Sequence, residues 1–180
     1  MAKKVLIVST SLRALSNSEL LAREAARGAR DAGHDVELVS LKDKDIRFCK
    51  GCLACQKTGK CVIKDDAAEI VGKVQNADVL VFVTPIYYYE LSGQLKTLLD
   101  RCNPLFPQEY AFRDVYLMTA SAEDGDEVYE KAVNGLKGWI DCFSECSYAG
   151  VFSGGGLNDG NEAKQHPELL ERAYQFGKKL

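Results

Sequence analysis

Val5-Leu6-Ile7-Val8-Ser9-Thr10-Ser11-Leu12-Arg13-Ala14-Leu15-Ser16-Asn17-Ser18 reads as a buried strand, a hydroxyl-rich loop and the start of a helix. A strand that runs through such a loop into a helix aims free backbone N–H groups and the positive end of the helix dipole at one point. One reading of the loop is capping alone, with Ser16, Asn17 and Ser18 closing the first turn of a helix expected from about Glu19 to Asp31. The other is an anion site. The number of donors favours it, because a cap needs one hydroxyl and the loop offers Ser9, Thr10, Ser11, Ser16 and Ser18 with the Arg13 guanidinium.

Outward from this stretch, strand-like and helix-like segments alternate. Leu20, Leu21, Ala25, Ala29 and Ala32 recur at helical spacing up to Gly33, and Asp35 to Val39 alternates as a short strand. An irregular segment from about Lys42 to Lys64 carries Cys49, Cys52, Cys55 and Cys61. A loop that long within a domain is usually functional or disordered. Asp65-Asp66 is placed to cap a helix through Ala67, Ile70, Val71 and Val74, and Val79 to Val83 is the unbroken apolar run of a central parallel strand. Ile86 to Gly93 reads as a loop containing three tyrosines, before a helix with Leu95, Leu98, Leu99 and Cys102. Val115 to Met118 is a strand leading to Thr119-Ala120-Ser121, and Val128, Ala132, Leu136, Trp139 and Ile140 mark a helix. Tyr148 to Phe152 is the last strand; Ser153-Gly154-Gly155-Gly156 reads as a flexible turn, and Pro167 opens a closing helix.

Five strands alternating with helices predict an α/β three-layer sandwich, one domain over residues 1–180 with a cysteine-rich insertion at about 42–64. In doubly wound sheets the ligand crevice lies at the carboxyl ends of the strands where their order reverses. The hydroxyl loop, the tyrosine loop and the Thr119–Glu123 loop should therefore meet there. The net charge of −3, with lysines spread along the chain, gives no footprint for nucleic acid. No apolar run is long enough for a membrane span or a secretory signal, so a cytoplasmic protein is expected. His34 and His166 read as turn or cap residues, and Glu123 to Glu127 as partners of a helix dipole.

The hydroxyl loop, the run Thr84-Pro85-Ile86-Tyr87 followed by Ser92-Gly93-Gln94-Leu95-Lys96 and Asp100-Arg101, and the cysteine segment together resemble the NAD(P)H-dependent FMN reductases, most of all the iron-sulfur flavoproteins. The resemblance implies a flavodoxin-like fold with a five-stranded parallel sheet in the order 2-1-3-4-5. It implies FMN as cofactor, NAD(P)H as hydride donor, and a small-molecule or protein electron acceptor, in a homo-oligomer with flavin sites near subunit interfaces. Carried onto this sequence, Ser11, Arg13, Ser16, Asn17 and Ser18, with Ser9 behind them, would hold the phosphate. Pro85, Ile86, Tyr87, Tyr88 and Tyr89 would line the ring edge, and Ser121 and Ala122 its pyrimidine side. The family's loop commonly reads Gly-Ser-Pro-Arg, and here Thr10 and Leu12 stand in place of Gly and Pro. No protein acid–base triad is expected, since the flavin carries the chemistry. The tyrosines have a second reading as a core plug or an interface.

Cys49-x2-Cys52-x2-Cys55-x5-Cys61 suits a compact cluster, whereas a structural zinc site usually splits its ligands into two separated pairs. The resemblance implies a [4Fe–4S] centre on these four cysteines, with Lys50, Lys57 and Lys60 offsetting its charge. Free thiols, a disulfide or zinc are the alternatives. Cys102, Cys142 and Cys146 read as packing residues. Three functions are consistent with these features: an FMN-dependent NAD(P)H oxidoreductase, an electron carrier docking to a redox partner such as ferredoxin, and a zinc-binding interaction module.

Overall fold

The computed structural model describes all 180 residues. Its strands are β1 (Lys4–Ser9), β2 (Asp35–Ser40), β3 (Val79–Tyr87), β4 (Glu90–Leu91), β5 (Asp114–Ala120) and β6 (Ser147–Gly154). Its α-helices are α1 (Asn17–Asp31), α2 (Ala54–Thr58), α3 (Ala67–Asn76), α4 (Gly93–Arg101), α5 (Glu130–Ile140) and α6 (Pro167–Gly177). The sheet runs β2-β1-β3-β5-β6 with every pairing parallel. This is the expected doubly wound order, with the switch point between β1 and β3.

Parity along the central strands builds the two cores. Leu6 and Val8 of β1 and Leu80 and Phe82 of β3 lie in a cluster of 24 buried apolar residues with α3, α4 and α5. Val5, Ile7, Val79, Val81 and Val83, one step out of phase, lie in a second cluster of 18 with α1 and α6. Strands covered on both faces have no polar side to alternate with, which is why Val79–Val83 is unbroken. On the second face α1 and α6 pack backbone to backbone. A Cβ at Gly28 would collide with the carbonyl of Tyr174, and one at Gly177 with the carbonyl of Ala25.

Four expectations change in detail. The sheet has six strands, because β3 continues through Tyr87 and folds back as β4, with Ile86 opposite Leu91 and Tyr87 opposite Glu90. Residues 86–91 are thus a hairpin rather than an open loop. Helix α1 begins at Asn17, two residues before the expected start, with Ser16 as its cap accepting the Glu19 N–H at 3.1 Å. Val128 lies in a 3-10 turn, and α5 starts only at Glu130. Finally, Cys102 is buried, its thiol pushed up to about 12 by burial, but Cys142 is exposed and Cys146 half-buried. Helix α5 ends at Ile140, so Cys142 lies in the turn beyond it rather than on the packed face.

Candidate flavin site

At the carboxyl ends of β1, β3, β5 and β6 four loops surround a cavity of about 200 Å³. It is lined by Ser11, Arg13, Ser16, Asn17 and Ser18 at one end, by Pro85, Ile86 and Tyr87 on one side, and by Ser121 and Ala122 on another. The sequence reading missed Ala120, Leu157 and Asn158, which also line it. Leu157 and Asn158 follow the glycine run read as a flexible turn, and their only local signal was that polar stretch after a strand.

None of the lining residues is acidic. Arg13 forms no ion pair with any carboxylate of the chain. A free guanidinium, buried serines and the first turn of a 15-residue helix form a donor set suited to a phosphate dianion. The residues present therefore fit the phosphate end of a flavin mononucleotide. The cavity is smaller than the ~300 Å³ at the low end of pockets that enclose such ligands, so a bound ring would stay open on one side.

Three expected residues lie elsewhere. Ser9 is fully buried on β1, its hydroxyl without a hydrogen-bond partner, and does not line the cavity. Tyr88 and Tyr89 form the turn between β3 and β4, with φ of 52° and 63°. A two-residue turn with both residues left-handed normally takes Asn-Gly, because a large side chain there is strained. Tyr88 projects entirely into solvent at 99% exposure. Tyr89 donates its hydroxyl proton to Glu123 at 2.9 Å, and this hydrogen bond raises the phenol pKa above its ordinary value. It ties the hairpin to the loop that carries Ser121. Replacing Tyr88-Tyr89 by Asn-Gly should raise the Tm by about 2–4 °C through relief of this strain. Thermal denaturation tests it, and a fall in Tm would show that the tyrosine contacts outweigh the backbone cost.

The loops are joined by buried hydroxyls. Thr10 Oγ1 donates to the carbonyl of Val83 at 3.0 Å and accepts from Ser92 Oγ at 3.1 Å. Ser92 Oγ also accepts from Thr84 Oγ1 at 3.1 Å and caps α4 through the Leu95 N–H at 3.4 Å. The ends of β1 and β3 and the start of α4 thus meet at one serine.

The cysteine segment lies at the other end of α4. There Arg101, buried at the helix C-terminus, donates to both oxygens of the buried Asp65 at 2.6 and 2.9 Å. It also donates to the carbonyl of Arg47 at 2.7 Å and to Cys61 Sγ at 3.5 Å. Burial would raise the Asp65 pKa, but hydrogen bonds from Arg101 and from the Arg47 and Ala67 backbones outweigh it and hold the carboxyl below its ordinary range. Cys55 Sγ accepts from Asn103 Nδ2 at 3.2 Å, while Cys49 and Cys52 are exposed. No three His, Cys, Asp or Glu side chains are gathered to hold a metal ion.

A doubly wound parallel sheet with an acid-free cavity at its topological switch defines a flavodoxin-like α/β protein. The chain belongs to the NADPH-dependent FMN reductase family, whose sequence profile it matches over residues 3–152. An iron-sulfur flavoprotein of Methanocaldococcus jannaschii is 42% identical over 102 residues, 57% of this chain and 53% of that protein. The matched stretch thus spans about half the length of that relative, and 48% and 43% of two iron-sulfur flavoproteins of Archaeoglobus fulgidus. A solved NAD(P)H:quinone oxidoreductase from Methanothermobacter marburgensis superposes with a TM-score of 0.76, covering 99% of this chain and 96% of that one. At 17% identity the likeness is one of fold. No helix is long and apolar enough to cross a membrane.

Proposed function

We propose that the protein is an FMN-dependent NAD(P)H oxidoreductase that passes electrons to a small-molecule or protein acceptor. The observation that carries this reading is the acid-free cavity in which Arg13, Ser11, Ser16 and Ser18 converge at the start of α1, facing Pro85–Tyr87. Arg13 and the serines would hold the phosphate, and Ile86, Tyr87, Ser121 and Ala122 would flank the ring. Bound FMN supplies the redox chemistry, accepting hydride from the nicotinamide. The chain places and orients it, and the shallow cavity leaves room for a second reactant. Family membership and the absence of any competing acid at the anion end support this reading. The exposed Tyr87 and Tyr88 beside the cavity suit the subunit interface of a homo-oligomer.

FMN titrated into flavin-free protein should bind stoichiometrically, and anaerobic NADPH or NADH should bleach it within turnover time. Absence of FMN uptake would sink the reading; FMN uptake without bleaching by either nicotinamide would favour the second reading. That second reading is an electron carrier with a [4Fe–4S] centre on Cys49, Cys52, Cys55 and Cys61. It draws on the compact spacing and on the names of the iron-sulfur flavoprotein relatives. Iron and sulfide at about four per chain in anaerobically prepared protein would support it.

A further inference from the structure

The Asn17 side chain, read from the sequence as a phosphate ligand, is engaged elsewhere. Its Nδ2 donates to the carbonyl of Asp159 at 2.8 Å, and its Oδ1 accepts the N–H of Ala163 at 3.1 Å. Only a carboxamide offers a donor and an acceptor side by side in this way. Both partners belong to the segment between β6 and α6. From the same segment the N–H of Asn161, itself left-handed with φ 63°, donates to the carbonyl of Leu15 at 3.1 Å. Gly160 lies against the hydroxyl loop so closely that a Cβ there would stand 2.9 Å from Leu15 Cβ, 3.1 Å from its carbonyl oxygen and 3.6 Å from Arg13 Nη2. Leu157, at the start of the segment, donates its N–H to the carbonyl of Ser121 at 2.9 Å and lines the cavity with Asn158.

The hydroxyl loop needs such a support. Thr10 fixes one end and the Ser16 cap the other, while between them the Arg13 N–H reaches only Ser11 Oγ, at 3.4 Å, within the loop itself. Several donors can converge on one phosphate only if the loop is held in that arrangement before the ligand arrives. We infer that residues 157–163 form a clasp that holds the hydroxyl loop in its phosphate-binding shape, with Asn17 and Gly160 as positioning residues. Asn17 locks the clasp to the first turn of α1, and Gly160 lets it lie flush against Leu15 beside Arg13. This inference rests on the FMN reading and adds to it a determinant of phosphate recognition outside the set of phosphate donors.

The test compares FMN with riboflavin, which has the same ring and no phosphate, by fluorescence titration of flavin-free protein. Wild type should bind FMN far more tightly than riboflavin. Gly160→Ala and Asn17→Ala should each lower FMN affinity about tenfold or more while changing riboflavin affinity less than about threefold, so that the preference for the phosphate collapses. Gly160→Ala serves as the milder variant should Asn17→Ala fail to fold. If both variants keep the wild-type preference, whether or not overall affinity falls, the clasp is overturned and the FMN reading stands. If wild type binds no FMN, or does not prefer it to riboflavin, the FMN reading fails and the clasp falls with it.

Discussion

Arg101→Ala is expected to destabilise the protein by about 3–5 kcal/mol, the usual cost of removing one member of a buried ion pair. The carboxylate left behind explains the size of the effect. Asp65 is buried at 0% side-chain exposure, so its charge would lose both short hydrogen bonds with no water to replace them. Urea denaturation at pH 7 measures the loss, and a cost below about 1 kcal/mol would show the pair behaving as a surface contact. Adding Asp65→Leu to Arg101→Leu should recover part of the stability, because the carboxylate that has lost its bidentate partner, and keeps only the Arg47 and Ala67 N–H groups and the longer Arg47 contact at 3.7 Å, is then gone. The pH dependence has a definite sign. The folded-state pKa of Asp65 is lowered, so the stability it contributes is fully present at neutral pH. That stability is lost only as the pH falls below the ordinary carboxylate value of about 4 and through the folded one. Arg101→Leu/Asp65→Leu should therefore denature less steeply with acid than wild type.

Gly28→Ala and Gly177→Ala should each cost about 2 kcal/mol. On an isolated helix the change from Gly to Ala would be worth about 1 kcal/mol in the stabilising direction. Here the new methyl meets a backbone carbonyl of the facing helix, Tyr174 in one case and Ala25 in the other. No rotamer change can relieve that contact, so α1 and α6 must separate, at the upper end of the ~1–3 kcal/mol range for overpacking. Thermal or urea unfolding decides which term wins, and a rise in stability would mean the helices part without loss.

Much of the architecture was legible because it is written in local patterns. The run Val79–Val83 announces a strand covered on both sides, and the cluster Ser16-Asn17-Ser18 announces the start of α1 to within two residues. Ser11, Ser16, Ser18 and Arg13 were legible for the same reason, since they sit between the apolar run Val5–Val8 and the start of α1. What escaped depends on partners distant in the chain. Asn17 was given to the phosphate, but its amide is used by backbone groups 142 and 146 residues away. The Arg101–Asp65 pair joins positions 36 apart, and neither neighbourhood hints at the other. The hairpin at β4 was missed because its turn residues are tyrosines, which turn chemistry places last at positive φ.

Helix α4 is nine residues long, about 14 Å of rigid rod, with the Ser92 hydroxyl junction at its start and Arg101 at its end. It works as a strut. The distance between the cavity and the cysteine segment is therefore set by the length of this helix, however long the intervening chain from Leu41 to Asp66 becomes. The thiols can change in number or chemistry while their end of the molecule stays at a fixed reach from the phosphate loop. One added residue inside α4 would turn Arg101 by about 100° away from Asp65 and uncouple the two ends.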